Sequence, residues 1–363
     1  MKVAFFLGTL NRGGAETLLA DVFNHSEPLP FDAVCLYRKE GSLSMDFHRS
    51  EVRMLCLPRK GSWMIYGLRI RRLMRSEKVD IVHAQSALNA FLAAVFLAFT
   101  GIRVVVTFHS YGSGKNNPLI KRVVSRYCRR IVFVSEAQRK WLLNHGYQHS
   151  ANKSVVIHNG IDFSRLQMAS PIADDAPLKM CMVGSFGSGR NQLFICKFLD
   201  ELKTKGVKFQ FYFIGAPRDS EPQCYQDCVD YCRHHQLDGC VSFCGLCDNV
   251  PQQLSTMDCF IYATRHDTFG IAVLEAIASG LPTFVNSNPV MREITGQGQF
   301  ANLYHGGDIG DMLARFEDYL IHRQEYISRA RENAFAIRQQ FGISNHISQL
   351  QLLYLSVLTD NKN

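Results

Sequence analysis

The feature that most constrains the fold is the alternation of short apolar runs with helical stretches along the first half of the chain. Val3–Leu7 and Arg103–Phe108 have the pattern of strands, whereas Ala15–Phe23 and Trp63–Arg75 have the pattern of helices. The same reasoning predicts strands at Ala33–Tyr37, Ile81–His83 and Ile131–Val134, and helices at Leu88–Phe99, Pro118–Cys128 and Glu136–His145. Repeated β–α units of this kind predict a parallel sheet covered by helices on both faces.

A second β–α series predicts a second domain. Its strands are expected at Lys179–Gly184, Gln210–Ile214, Val241–Phe243, Asp258–Tyr262 and Thr283–Val285. A polar stretch ending at Pro177 separates the two series, and 363 residues are too many for one small core. We therefore expect an α/β protein in which two doubly wound, Rossmann-like domains face each other across a ligand-binding cleft. The predicted domains are 1–168 and 178–342, followed by a terminal helix, 343–363, that is expected to pack back on the domain junction.

Charge is distributed unevenly along the chain. Residues 1–170 contain 24 Lys and Arg against 11 Asp and Glu, whereas the remainder contains 16 and 21. Basic residues cluster within Arg69–Arg75 and again within Lys121–Arg130. These clusters are either solvated helix faces or a surface for anionic lipid or an anionic acceptor. They lack interleaved aromatic residues and any nucleic-acid-binding motif, so no nucleic-acid partner is expected.

The start of the chain, its longest apolar run and its cysteines predict where the protein is located and whether it binds a metal. Met1 and Lys2 lead directly into a strand, and the apolar run Ala87–Phe99 is too short to span a bilayer, so a cytoplasmic protein is expected. Six of the twelve cysteines lie between Cys224 and Cys247. They could be core thiols or a zinc site, and the presence of only one C-x-x-C pair favours core thiols, so no metal is predicted.

The segment from Arg265 to Pro282 is the most informative about function. Asp267 and Thr268 are predicted to cap a helix that ends at Gly280. Apart from Glu275, this helix is apolar on nearly every face, which predicts a buried or half-buried carboxylate that needs hydrogen-bond donors from elsewhere. The N–H groups at the start of the helix suit a phosphate. One helix could therefore hold both sugar hydroxyls and a phosphate, which indicates a nucleotide-sugar ligand.

Three other segments place functional residue types where strands end. Gly13 and Gly14 begin the first helix, His109 follows a strand, and Arg190 lies in a glycine-rich loop that suits a diphosphate. Each also has a plain structural interpretation, as a tight turn, a structural histidine and a solvated arginine. The first loop is not G-x-G-x-x-G, which disfavours a dinucleotide-dependent dehydrogenase.

Taken together, four motifs resemble the retaining glycosyltransferases of GT-B fold, sequence family four. The motifs are G-G-A-E at 13–16, V-T-F-H at 106–109, I-H-N-G-I-D at 157–162 and D-T-F-G-I-A-V-L-E-A at 267–276. The resemblance covers essentially the whole chain, and the two acids separated by seven residues are its most specific element. Two positions depart from the family pattern. Asp267 stands where the family usually has Glu, and Ser185 stands where it usually has the first of two cations, Arg190 being the second.

The resemblance implies a role for each candidate. Glu275 would bind the nucleotide ribose, Asp267 the transferred sugar and Arg190 the diphosphate, while His109 would lie near the anomeric centre. The remaining donor-binding positions would be Gly13, Gly14, Gly184, Gly245, Leu246, Thr268, Phe269, Gly270 and Ile271, with Gly245 and Leu246 near the base.

The implied reaction is metal-independent and cofactor-free, since the sequence contains no Asp-x-Asp motif. A nucleoside-diphosphate sugar, with a UDP-sugar favoured, would donate its sugar with retention to a growing surface glycan of capsule, O-antigen or exopolysaccharide type. The acceptor would be free or lipid-linked, and the enzyme peripheral at the inner membrane face. Two alternatives are a nucleotide-sugar epimerase of the same fold and an inactive sugar-nucleotide-binding subunit.

Overall fold

The computed structural model describes residues 1–112, 117–147, 151–170, 176–247 and 249–360. The chain divides into two compact units, each built on one parallel sheet. The first comprises Met1–Asp162 and the segment that begins at Phe341, and the second comprises Phe163–Gln340. The sequence-derived boundaries at 168 and 342 lie close to these, while residues 171–175 of the predicted linker lie outside the described residues.

The first unit contains a seven-stranded sheet in the order β3-β2-β1-β4-β5-β6-β7, with every neighbouring pair parallel. Its strands are β1 (Lys2–Phe6), β2 (Asp32–Tyr37), β3 (Arg53–Cys56), β4 (Ile81–Ala84), β5 (Arg103–Phe108), β6 (Arg130–Phe133) and β7 (Ser154–Val156). Its helices up to this point are α1 (Gly14–Phe23), α2 (Ser44–His48), α3 (Trp63–Ser76), α4 (Ala87–Phe96), α5 (Pro118–Tyr127) and α6 (Glu136–Asn144). The strand order reverses at β1, which lies between β2 and β4.

Helices cover both faces of this sheet, as the near-continuous apolar strands require. On one face, Tyr66 and Ile70 of α3 and Val124 of α5 pack in the same cluster as Val82 of β4 and Val106 of β5. The close approach of α3 and α4 depends on a residue without a side chain. A Cβ at Gly67 of α3 would lie only 2.1 Å from the ring of Phe96, so glycine is what permits the two helices to meet.

The second unit contains a six-stranded parallel sheet in the order β10-β9-β8-β11-β12-β13. Its strands are β8 (Leu178–Val183), β9 (Phe209–Ile214), β10 (Val241–Gly245), β11 (Cys259–Tyr262), β12 (Thr283–Asn286) and β13 (Asn302–Tyr304). Its helices are α7 (Gln192–Thr204), α8 (Gln223–His234), α9 (Val250–Leu254), α10 (Ile271–Ala278), α11 (Pro289–Ile294), α12 (Ile309–Ile321) and α13 (Arg323–Phe341). Here the order reverses at β8, between β9 and β11, so both sheets confirm the predicted doubly wound fold.

The last helix, α14 (Ile343–Thr359), returns to the first unit. Ile347, Leu350 and Tyr354 pack in the same cluster as Leu18 and Val22 of α1, on the face of the sheet opposite α3. The predicted terminal helix is therefore part of the core of the first unit, and its final residues, 361–363, lie outside the described residues. Each of these fully buried side chains contributes about 1.5–3 kcal/mol of hydrophobic stabilisation.

The sequence patterns missed several short or polar elements, including β3, β13, α12 and α13.

The arginines of α3 are not all solvent-exposed, although its sequence indicates one basic face. Arg71 donates from Nη1 to the carbonyl oxygens of Phe96 and Ala98 at 3.0 and 2.9 Å, so this guanidinium closes the end of α4. Arg72 and Arg75 are exposed. Within the described ranges, no helix is long and apolar enough to cross a bilayer.

Candidate functional site

The polar residues of the second unit converge where its strand order reverses. The loops that follow β9, β8 and β11 are neighbours at the carboxyl edge of the sheet, because these three strands are adjacent. Hydrogen bonds join two of the loops directly, since Arg265 and His266 donate backbone N–H groups to the Gly189 carbonyl at 3.0 and 3.2 Å. Thr264 adds a hydroxyl bond of 2.9 Å to the same carbonyl. In doubly wound sheets this is the position at which ligands bind.

Helix α10 begins later than the sequence rule predicts. Its N-cap is Gly270, whose φ of 92° lies in the left-handed region, and not Asp267 or Thr268. Glycine suits this position for two reasons, because its backbone is left-handed and because a Cβ there would lie 2.8 Å from the methyl group of Met291. The prediction that Asp267 and Thr268 cap the helix is therefore wrong, whereas the predicted end is confirmed by Gly280 with a φ of 74°.

Asp267 instead connects three groups within the site. Its Oδ2 accepts from Arg190 Nη1 at 3.0 Å and from the Tyr262 hydroxyl at 2.8 Å, and its Oδ1 accepts from the Thr268 N–H at 2.9 Å. Burial raises the pKa of Tyr262 well above its ordinary value, and the Asp267 carboxylate raises it further, so the phenol stays protonated and donates. The structure thus brings two predicted site residues, Arg190 and Asp267, into direct contact.

Arg190 is held on several sides. Its guanidinium donates to Thr264 Oγ1 at 3.3 Å and lies over the Tyr262 ring, with 5.3 Å from Cζ to the centroid. A Cβ at Gly184 would lie 3.2 Å from Arg190 Nε, so the glycine leaves space beside the guanidinium. Among the described residues, that buried Nε has no hydrogen-bond partner. Arg190 is therefore oriented by protein contacts, and its guanidinium has the geometry that suits a phosphate.

Glu275 occupies the more exposed side of an otherwise buried helix. It is half-buried, as is Ile271 one turn earlier, whereas Val273, Leu274 and Ala276 are fully buried. The half-buried carboxylate agrees with the expectation from sequence. Of the predicted backbone donors, the Thr268 and Phe269 N–H groups donate to Asp267 Oδ1, at 2.9 and 3.5 Å.

Gly245 and Leu246 lie at the end of β10, on the same edge but two strands away from β8. Gly245 has a φ of 67° at a shift of register between β10 and β9, and its carbonyl accepts from the Gly215 N–H at 2.8 Å. The Leu246 side chain is 72% exposed. An exposed leucine beside a backbone kink is available to contact a flat apolar group.

The three predicted site residues of the first unit lie on two loops. Gly13 is the extended N-cap of α1 and Gly14 its first residue. A Cβ at Gly13 would lie 2.6 Å from a carboxylate oxygen of Glu16, whose pKa is raised by burial. His109 follows β5, as predicted, and its Nε2 lies 2.9 Å from Gln85 Oε1, so the ring donates to the amide oxygen.

Burial keeps His83 and His109 of the first unit neutral. It lowers the pKa of His109 to about 3, with a smaller effect from His346, and lowers the pKa of His83 to about 3. His83 lies between two hydroxyl groups, 2.6 Å from Tyr354 and 2.7 Å from Thr107. Sequence reasoning missed His83, Gln85 and, in the second unit, Tyr262 and Thr264. Their only sequence signal was the position of polar side chains at the ends of apolar strands.

Only part of the cysteine-rich stretch of the second unit is core, because Cys224, Cys240 and Cys247 are half-buried and Cys244 is exposed. Cys228 and Cys232 of α8 are buried, and Cys196 of α7 is close enough for its thiol to hydrogen-bond with both. Over the described parts of the chain, no group of three or more His, Cys, Asp or Glu side chains is arranged to hold a metal ion.

Two family models match the chain, one in each unit. Residues 12–165 match the model described as Glycosyltransferase Family 4, and residues 177–321 match Glycosyl transferases group 1. Among curated proteins, N-acetyl-alpha-D-glucosaminyl L-malate synthase of Bacillus anthracis is 31% identical over 127 residues, which cover 34% of this chain and 32% of that protein. Phosphatidyl-myo-inositol mannosyltransferase of Mycobacterium leprae is 22% identical over 311 residues, or 80% and 77% of the two chains.

The fold matches solved structures over nearly its whole length. Anabaena HepE in complex with UDP superimposes with a TM-score of 0.84, covering 98% of this chain and all of that one, at 16% sequence identity. At this level of identity the likeness concerns the fold.

Proposed function

We propose that this chain, which is a glycosyltransferase with the GT-B fold, transfers a sugar from a nucleoside diphosphate with retention of configuration and without a metal ion. The observation that carries the proposal is the contact between Arg190 and Asp267 at the reversal point of the second sheet, beside the start of α10. A cation for the leaving group and a carboxylate for the sugar hydroxyls are thereby adjacent. In a nucleoside-diphosphate sugar the diphosphate and the transferred sugar are adjacent in the same way.

The proposed chemistry uses each group in a defined way. The bond between the anomeric carbon and the diphosphate oxygen breaks, its electron pair leaves with the diphosphate, and positive charge develops on the sugar. Arg190 stabilises the negative charge on the leaving group, because it is already oriented before the reaction. Asp267 holds sugar hydroxyls and Glu275 holds the ribose hydroxyls. The acceptor hydroxyl then forms the new glycosidic bond and passes its proton to the departing diphosphate oxygen.

UDP is the first nucleotide to test. Anabaena HepE, which shares the fold, was solved in complex with UDP, and the kinked, exposed end of β10 at Gly245 and Leu246 offers a surface for a base. For the acceptor we propose a growing surface glycan, free or lipid-linked. The name of the Mycobacterium leprae relative describes transfer to a phosphatidyl-myo-inositol, which is a lipid.

A cytoplasmic location at the inner face of the membrane is part of the proposal, and α3 supports it. Four apolar side chains along its first turns are 42–62% exposed, namely Trp63, Met64, Ile65 and Leu68. Arg72 and Arg75 are exposed on the same helix, and Arg59 lies 4.8 Å from the Trp63 ring centroid. Exposed apolar side chains next to arginines are the combination that binds an anionic lipid surface.

Nucleotide binding tests the donor site. We would titrate UDP, GDP, ADP, CMP and their sugars into the wild type and Glu275→Ala by calorimetry without metal. One diphosphate nucleotide is expected to bind, and Glu275→Ala to weaken it about 10–100-fold because buried ribose hydroxyls lose their acceptor. Glu325→Ala, at an exposed position of α13, is the control. Binding of none of these, or only with magnesium, would contradict the proposal, as would an inverted product by NMR.

Tryptophan fluorescence tests the membrane surface. The chain has two tryptophans, so Trp141→Phe leaves Trp63 as the only reporter. Its emission should shift to the blue with vesicles of phosphatidylcholine and phosphatidylglycerol, and not with phosphatidylcholine alone. Arg72→Gln with Arg75→Gln should weaken binding about 30-fold, at about 1 kcal/mol per arginine. Lys208→Gln with Arg233→Gln, in the second unit, is the charge-matched control. Equal binding to both kinds of vesicle would contradict this part.

A further inference from the structure

Arg218 lies beside the position at which the motif cation is absent. Its Nε donates to Ser185 Oγ at 3.1 Å, and Ser185 is the residue that stands in place of the first arginine of the phosphate loop. Arg218 belongs to the loop after β9 and Ser185 to the loop after β8. Since β9 and β8 are neighbours, the two loops meet at the same carboxyl edge as Arg190. A guanidinium is therefore present where the sequence motif has only a hydroxyl.

Backbone hydrogen bonds hold the loop that contains Arg218 against the loop that contains Ser185. Phe186 donates its N–H to the Ala216 carbonyl at 3.0 Å, and Arg218 donates its N–H to the Phe186 carbonyl at 3.1 Å, so the two loops run together as a short parallel bridge. The backbones are close at Gly215, where a Cβ would lie 2.2 Å from the Gly184 carbonyl oxygen. This region requires glycine, and it places the Arg218 side chain over the phosphate loop.

Gly187 makes room for the side chain itself. A Cβ at Gly187 would lie 2.9 Å from Arg218 Cδ and 2.7 Å from Glu221 Oε2. Glu221 accepts hydrogen bonds from the Ser188 N–H and hydroxyl and so orders the loop that Arg218 covers. The Ser188 bonds lower the pKa of Glu221, and the charge of Arg218 adds a smaller effect in the same direction. Glu221 offsets part of the Arg218 charge, and the arginine remains exposed to an incoming anion.

The two arginines flank consecutive residues of one loop. Arg190 Nε lies beside Gly184, and Arg218 Nε bonds Ser185. The positive charge of Arg190 is already shared with Asp267 at 3.0 Å. A diphosphate with two to three negative charges would therefore meet one compensated cation at Arg190 and one exposed cation at Arg218.

We propose that Arg218 is the second cation of the donor diphosphate site and takes over, from a neighbouring loop, the charge that the phosphate loop lacks at Ser185. This inference rests on the proposed function, because it assigns a residue to the diphosphate of the same donor. Arg218 binds substrate directly, and its exposed guanidinium turns from Ser185 Oγ to the phosphate oxygens when the donor enters.

Paired ligands separate a direct contact from a structural role. Arg218→Gln should weaken UDP about tenfold or more and leave uridine, which has the base and ribose but no phosphate, within about twofold. Arg233→Gln, which removes an exposed arginine of α8, is the matched control. Ser185→Arg in the Arg218→Gln background should restore most of the UDP affinity, because it returns a guanidinium to the same place. If the wild type binds GDP or ADP rather than UDP, that nucleotide and its nucleoside replace this pair.

The outcomes distinguish the two proposals. If the wild type binds none of UDP, GDP and ADP, there is no donor site and Arg218 has no role in it. Wild-type binding that Arg190→Gln weakens and Arg218→Gln does not change overturns only the inference about Arg218. An equal loss of UDP and uridine in Arg218→Gln, with no recovery in the double variant, would mean that Arg218 merely supports the loop.

Discussion

The carboxyl edges of the two sheets have opposite polar chemistry. In the second unit the edge carries full charges, with Arg190 bonded to Asp267 and Arg218 next to Glu221. In the first unit the ends of the central strands β4 and β5 carry Gln85 and His109, with His83 within β4, and burial keeps both rings neutral. Under the proposed function, the charged groups would hold the anionic diphosphate and the neutral groups would hydrogen-bond sugar hydroxyls.

The largest effect is expected at Asp267, the carboxylate among the charged groups of the second unit. Asp267→Asn removes the charge that Arg190 and the Tyr262 hydroxyl share, so we expect kcat to fall about 10²–10³-fold. Steady-state sugar transfer measures this. Asp230→Asn, an exposed aspartate of α8, should leave the rate unchanged. A loss of less than about threefold would show that the charged edge is not where the sugar is held.

Acid should lower the free energy of unfolding of the first unit, because its buried histidines are neutral. The pKa values of His83 and His346 are lowered to about 3 and about 4, whereas an unfolded histidine titrates near 6.5. The unfolded chain therefore binds more protons below pH 6.5, and the stability that is present above this pH is lost as pH falls towards 4. Each histidine should cost about 2 kcal/mol at pH 5.

Thermal unfolding between pH 7.5 and 5 measures this effect. His346→Gln should make Tm depend less on pH, by the contribution of one histidine. His322→Gln, at an exposed position, should leave the pH dependence of Tm unchanged. A Tm that is constant over this range would contradict neutral burial in the first unit.

The smallest expected effect comes from the Tyr262 hydroxyl, which helps to orient the Asp267 carboxylate. Tyr262→Phe removes one of the two donors to Asp267 Oδ2 and keeps the ring beneath Arg190. One hydrogen bond to a carboxylate contributes about 1.5 kcal/mol, so KM for the donor should rise about tenfold with little change in Tm. Tyr326→Phe is the control, since its hydroxyl bonds an exposed aspartate. An unchanged KM would show that Arg190 and the Thr268 N–H orient the carboxylate without the Tyr262 hydroxyl.

Most of the fold could be predicted from the sequence because its elements are long and apolar. The strand predicted at Arg103–Phe108 has those bounds in the structure, and the helix predicted at Pro118–Cys128 differs by one residue. The edge strands β3 and β13 were missed, since each is only three or four residues long and has a polar first residue.

The candidate site was predictable only where a motif is local in sequence. Asp267 and Glu275 lie within one short segment, whereas Arg190 meets Asp267 across 77 positions and Arg218 meets Ser185 across 33. Contacts of that separation depend on strand order, which no local pattern contains. The helix start was misplaced for a different reason. A left-handed glycine takes the place of the expected Asp or Thr cap, leaving Asp267 available to Arg190.

Helix α14 has a consequence for biosynthesis. Ribosomes make the chain from its first residue, and the first unit emerges before Tyr354 exists to bond His83 and cover the core face beside α1. That apolar face stays exposed to solvent until the second unit has been translated. The first unit therefore completes its folding last, although it is made first. A truncated chain that ends at Asp162 should aggregate, whereas a circular permutant that moves 341–360 ahead of Met1 should let the first unit fold as an independent piece.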